Sequence, residues 1–97
     1  MASVRLTEAA FADLERIGAL WAEQDRAAAE EVVLAIQEAV LLLARHPFIG
    51  RRLESGKREL VVSRGARGHV ALYRHDQSKD AALVLRISHQ REAGYPA

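Results

Sequence analysis

Ninety-seven residues, 49% hydrophobic and 28% charged, suffice for a single domain (1–97) with a modest aliphatic core, and the composition is not that of a disordered chain. The lack of cysteine excludes disulfides and thiolate metal sites. No apolar run approaches the ~20 residues that span a bilayer, and no basic stretch leads into an apolar one at the start, so a reducing cytoplasm is the expected setting. The net charge of +1 conceals a segregation: residues 1–50 hold four basic and eight acidic side chains and residues 51–97 hold ten and five, which suits the second half to polyanions or acidic protein segments.

Residues 3–6, "SVRL", alternate as a short strand. Thr7 can cap a first helix, with Glu8 at its positive end. Ala10, Leu14, Ile17 and Trp21 recur on one face of it to about Gln24, and Gly18 weakens it by roughly 1 kcal/mol relative to alanine. Asp25 caps a second helix to about Arg45, whose stripe of Val33, Ile36, Val40 and Leu43 is widened by Val32, Ala39 and Leu42. The short junction makes the two helices an antiparallel hairpin. "HPFIG" ends the second, since Pro47 disfavours helix at His46 and Gly50 permits a turn.

Beyond the polar "RRLESGKR" the period falls to two. Strands are expected at 59–63 ("ELVVS"), 69–74 ("HVALYR") and 82–88 ("ALVLRIS"), joined by "RGARG" and "HDQSKD". The fold class is therefore α+β: an N-terminal strand, then a helix hairpin on one face of a three-stranded antiparallel meander, with the first strand at an edge or beside the last.

Parity along the last strand directs Leu83, Leu85 and Ile87 to the helices and Arg86 away from them. Arg74 has the parity of Val70 and Leu72. On the open face Arg74, Arg86 and Arg91 would make an anion-ready patch, or else lay their aliphatic stems over the sheet with their heads in water. Val61, Ala71, Tyr73 and Val84 are expected to form an apolar docking strip on that face. His89 is either a general acid/base or phosphate donor, or a strand-end histidine bonded to a carbonyl. His46 belongs to its turn, Trp21 plugs the core, Glu59 beside Arg58 reads as an outward charge pair, and Arg51 and Arg52 decorate a turn near Glu54. His69 and His75, six apart with no carboxylate cluster, make no metal pair, so neither metal nor cofactor is expected.

"LTEAAFADLERI", "LLARHPFIGRRL", "RELVVSRGARGHVALYRHD" and "VLRISHQREAGY" together resemble, in order and over nearly the whole chain, the RelE/ParE superfamily toxins of bacterial type II toxin–antitoxin systems, and more closely the ParE-like, plasmid-stabilisation branch. The resemblance implies a β-α-α-β-β-β fold and a cognate antitoxin with an acidic amphipathic C-terminal segment. It also implies either a poison of DNA gyrase, which is not an enzyme, or a ribosome-dependent mRNA endonuclease, which is. A non-toxic antitoxin-binding module is a third reading. A homodimer or a toxin–antitoxin heterotetramer are the candidate assemblies.

Metal-free cleavage of RNA through the 2′-hydroxyl needs a base, an acid and cations about the phosphate. Arg86, His89, Arg91 and Tyr95 are the candidates if the chain is a nuclease. Arg64, Arg67, Tyr73, Arg74, Arg86 and Arg91 are the candidates for antitoxin or target binding. Where the RelE-like nucleases carry a cation at the start of the third strand, this chain has Val70, which favours gyrase as target.

Overall fold

The computed structural model describes residues 2–62 and 68–89. Strand β1 (Ser3–Leu6) leads into helices α1 (Glu8–Gln24) and α2 (Arg26–Leu42), then into strands β2 (Arg51–Arg52), β3 (Lys57–Val61), β4 (His69–Asp76) and β5 (Ala81–His89). The strands form one sheet in the order β1-β5-β4-β3-β2. β1 lies beside β5 and parallel to it, whereas the remaining neighbours are antiparallel, so the sheet is mixed. Among the described residues no helix is long and apolar enough to cross a membrane.

Both helix starts follow from short polar side chains. The Thr7 hydroxyl accepts from the Ala10 N–H at 3.1 Å, and one Asp25 carboxylate oxygen accepts from the N–H groups of Ala27 and Ala28 at 3.0 and 3.3 Å. α2 stops at Leu42, short of the expected Arg45. There the turn tightens into bonds from Leu43, Ala44 and Arg45 to carbonyls three residues back, the usual way a helix end satisfies itself before a proline. Gly18 has a packing role: a Cβ there would lie 3.2 Å from Val33 Cγ2, so its absence lets α1 and α2 approach closely.

The core lies between the helix pair and one sheet face. Ala10 and Ile17 of α1, Val32, Ile36 and Val40 of α2 and Leu43 at its C-cap meet Ala71 and Tyr73 of β4 and Ala82, Val84 and Ile87 of β5. Val4 and Leu6 of β1, with Leu14 and Trp21, pack against the edge of this cluster. Leu42, expected on the buried stripe, is 47% exposed.

The sequence reading of β5 needs correcting. Leu72 pairs with Arg86 while the next residue, Tyr73, pairs with Val84, so Leu85 is an extra residue, a β-bulge. The bulge reverses the phase of the strand. Ala82 and Val84 face the helices before it, and Ile87 does so after it. Leu83 and Leu85, expected inward, are instead only partly buried on the other side.

Candidate functional site

The bulge is anchored from the start of α1. The Thr7 N–H donates to the Val84 carbonyl at 3.0 Å, and the Thr7 hydroxyl donates to the Leu85 carbonyl at 2.9 Å. Asp13, 4% exposed, accepts from the Ile87 N–H at 3.0 Å with Oδ2. The same carboxylate receives the Arg86 guanidinium in a two-pronged bond, Nε to Oδ2 at 2.8 Å and Nη2 to Oδ1 at 3.0 Å. Beyond Leu6, where pairing with β1 ends, α1 thus supplies the partners that β5 would otherwise lack. Burial raises the Asp13 pKa, but the bond from Arg86, the Ile87 N–H and the charges of Arg86 and Arg16 outweigh it and hold the carboxyl below its ordinary value. Sequence reasoning missed Asp13: its place between Ala10 and Ile17 of the apolar stripe was the available signal, and composition alone does not distinguish it from the acidic residues around it.

The open face carries a row of cations. Register places Lys57 on β3 opposite Arg74 on β4, then Leu83 on β5, then Arg5 on β1. The next row runs Arg51, Glu59, Leu72, Arg86. Arg5, Arg51, Lys57, Arg74 and Arg86 are all exposed, and Glu59 is bound to Arg51 at 3.2 Å. Like charges directly opposed on neighbouring strands are destabilising, so the Lys57–Arg74 pair suits an anionic partner rather than stability. The expected outward placement of Arg74 and Arg86 is what the register gives.

Of the expected docking strip, Val61 lies on this face and is 36% exposed, but the other three residues do not lie there. Ala71, Tyr73 and Val84 are core residues on the helix side. Tyr73 in particular is fully buried, its hydroxyl accepting from the Gly50 N–H at 2.8 Å, so it cannot contact a partner as a surface group. Burial raises its pKa, with the Gly50 bond and Arg58 opposing. The apolar residues that do occupy the open face include Val70 and Leu72, only 2% and 8% exposed.

His89 lies on the helix side of β5, opposite His69 on β4, with the two rings edge to face at 5.3 Å. Both line a pocket with Arg16, Ile17, Leu20 and Trp21. Three residues apart across no further register shift, Arg86 and His89 leave β5 toward opposite faces, and the Arg86 head is taken up by Asp13. Arg64, Arg67, Arg91 and Tyr95 lie outside the described residues.

A second concave feature opens between the helices at the β1 side. It is a groove of about 440 Å³ lined by Val4, Leu6, Phe11, Leu14, Ile36 and Val40 among others, with Phe11 and Leu41 exposed at it.

Residues 4–94 match the family model described as ParE toxin of type II toxin–antitoxin system, parDE. The chain belongs to the ParE toxin family. It is a toxin of the type II toxin–antitoxin class, and the RelE/ParE-like α+β fold expected from the sequence is the fold observed.

Known ParE and RelE proteins resemble it along nearly their whole length. Toxin RelE3 of Caulobacter vibrioides is 36% identical over 92 residues, covering 95% of this chain and 98% of that protein. The chromosomal ParDE system of P. aeruginosa contains a chain of the same fold, with a TM-score of 0.77 and 28% identity over 92% of this chain and 96% of that one. The RelBE2 toxin–antitoxin complex of Mycobacterium tuberculosis contains another, with a TM-score of 0.67 and 24% identity over 92% and 98%.

Sequence reasoning missed how this ParE-family chain uses its arginines near the turn after α2. Arg58 donates through Nη1 to the carbonyls of Phe48 and Gly50 at 3.1 and 2.9 Å, rather than pairing with Glu59, and Arg51 takes Glu59 instead of Glu54. Residues 51–58, read as a polar stretch before the first C-terminal strand, contain the two-residue strand β2, whose pairing with β3 sets Arg51 opposite Glu59.

Proposed function

We propose that this ParE-family toxin is neutralised by a cognate antitoxin and, when freed, acts on DNA gyrase. The observation that carries the reading is the separation of Arg86 from His89. One is outward and held by Asp13, and the other is on the helix side against His69, so the described residues offer no acid–base pair around a common phosphate. Val70 near the start of β4, where the resemblance implies a cation in the nucleases, supports the same choice. For the antitoxin, the apolar groove between the helices suits the apolar side of an amphipathic segment, and the Lys57–Arg74–Arg5 row on the opposite sheet face suits acidic antitoxin chain that continues round the β1 edge. The ParDE and RelBE complexes among the structural relatives support pairing of this kind, with a heterotetramer as the assembly to look for.

The test is a supercoiling reaction with purified, folded toxin. Gyrase is expected to stall, and added antitoxin to restore it; full supercoiling at saturating toxin would remove gyrase as the target. The RelE name of the 36% identical relative favours the second reading, a ribosome-dependent mRNA endonuclease. Primer extension on translated message would then show cuts that disappear in Arg86→Ala and His89→Ala.

A further inference from the structure

The turn after α2 presents two neighbouring apolar side chains to solvent on an unusually well-braced backbone. Phe48 and Ile49 are 55% and 52% exposed. Behind them, the Gly50 N–H donates to the buried Tyr73 hydroxyl at 2.8 Å, and Arg58 Nη1 is shared between the Phe48 and Gly50 carbonyls. A Cβ on Gly50 would come within 2.7 Å of Tyr73 Cε1 and 2.9 Å of the Glu59 carbonyl, so the chain can pass there only as glycine. The Phe48 ring is itself fixed, with the Arg58 guanidinium 5.1 Å from its centre and the His75 ring 5.0 Å away, edge to face. His75 is in turn held by Asp80 at 3.1 Å. A buried tyrosine, an obligatory glycine and an internal arginine are thus committed to a turn whose two largest apolar groups are left outside.

That arrangement is poor for stability and good for binding, because a rigid aromatic and a branched aliphatic side chain lose little freedom on entering a pocket. Charge indicates what the pocket must look like. Residues 45–59 contain Arg45, Arg51, Arg52, Lys57 and Arg58 against Glu54 and Glu59, a local excess of +3 in a chain whose total is +1, with Glu59 paired to Arg51. Arg58 stands over the Phe48 ring itself, so a cation sits beside the exposed apolar pair and the segment that carries it is basic on balance.

We propose that Phe48 and Ile49 form the contact by which the toxin engages its protein target: a folded partner offering an apolar pocket rimmed by carboxylates. A folded partner fits better than the antitoxin segment. An amphipathic segment needs a groove, which this molecule provides elsewhere, between α1 and α2, whereas side chains exposed on a braced turn need a cavity on the other protein. The inference rests on the reading of this chain as a toxin with a protein target.

The decisive protein is full-length toxin carrying Phe48→Ser together with Ile49→Ser, compared with wild type in growth arrest on induction, in gyrase supercoiling and in binding to the purified antitoxin. Losing the Phe48 contacts with Arg58 and His75 should lower melting by a few degrees, so potency is compared at a temperature where both proteins are fully folded. Potency in arrest and supercoiling should fall about tenfold or more, with antitoxin affinity within twofold of wild type. Arg52→Glu should weaken target engagement in the same direction, and more so at low salt. A double variant as potent as wild type would overturn the proposal while leaving the gyrase reading intact. So would an equal loss of antitoxin affinity, which would give the surface to the antitoxin. Wild-type toxin that arrests growth without touching supercoiling would remove gyrase, and the arrest assay alone would then judge the turn: lost arrest in the double variant supports the contact, and retained arrest overturns it.

Discussion

Asp13 and Arg86 are 73 positions apart in sequence and meet through two hydrogen bonds of 2.8 and 3.0 Å, with the Ile87 N–H as a third donor to the same carboxylate. Asp13 is buried and the Arg86 side chain is 57% exposed. Asp13→Ala leaves Ile87 and the bulge without an acceptor and is expected to cost on the order of 2–3 kcal/mol. Arg86→Ala leaves the buried Asp13 carboxylate without its main counter-charge, with only the Ile87 N–H and Arg16 at 3.8 Å remaining, and should cost at least as much. Urea denaturation of the two variants measures both losses.

The same pair makes stability depend on pH. The Asp13 pKa is lowered in the folded chain from its ordinary value of 3.8, so the unfolded state takes up its proton first as the solution is acidified. Its contribution is complete above that ordinary value and is lost as pH falls through the folded one. The stability gap between wild type and Asp13→Asn should be constant near neutrality and shrink below about pH 4. Melting temperatures at neutral and strongly acidic pH measure it, and a gap that widened on acidification would contradict the assignment.

Gly50 and Tyr73 give a second pair of stability predictions. Gly50→Ala must displace either the buried Tyr73 ring or the β3 backbone, and a loss of about 2–3 kcal/mol is expected. Tyr73→Phe keeps the packing and strands one buried N–H, for about 1–2 kcal/mol. If the turn is the target contact, both variants should also lose potency faster than their melting temperatures fall.

Lys57 faces Arg74 on the open sheet face. Lys57→Glu turns this repulsive pair into an attractive one and should raise stability by about 0.5 kcal/mol, a shift of a few degrees in melting. Affinity for the acidic antitoxin should drop several-fold and become less sensitive to salt, readable by titration calorimetry at two ionic strengths. Unchanged affinity would mean that the antitoxin does not cross this face.

Much of the architecture was legible because it rests on local chemistry. Thr7 and Asp25 announce two helix starts with their own side chains, and Pro47 with Gly50 announces the end of the second. The inward strand residues were half legible. Alternation along β5 has one phase in sequence and two in space, because Leu85 is inserted where Thr7 and Asp13 can hold it, and no property of leucine reveals that. The error passed to the site. Val84 was assigned to the surface, and Ala71 and Tyr73 on β4 went with it. His89 was grouped with Arg86 although an odd separation after the bulge sets them on opposite faces. Arg58 could not be read at all, since its partners are backbone carbonyls ten and eight residues earlier.

The parallel pairing of β1 with β5 has a consequence for how the toxin comes into being. The first strand, the cap of α1 and Asp13 all find their partners within residues 81–89, near the far end of the chain. A nascent polypeptide must therefore wait for β5 before the amino-terminal segment can settle, and such sequence-distant closure is slow. The toxin domain closes only after residues 81–89 have emerged, an interval in which an antitoxin already made could meet it while it is still forming.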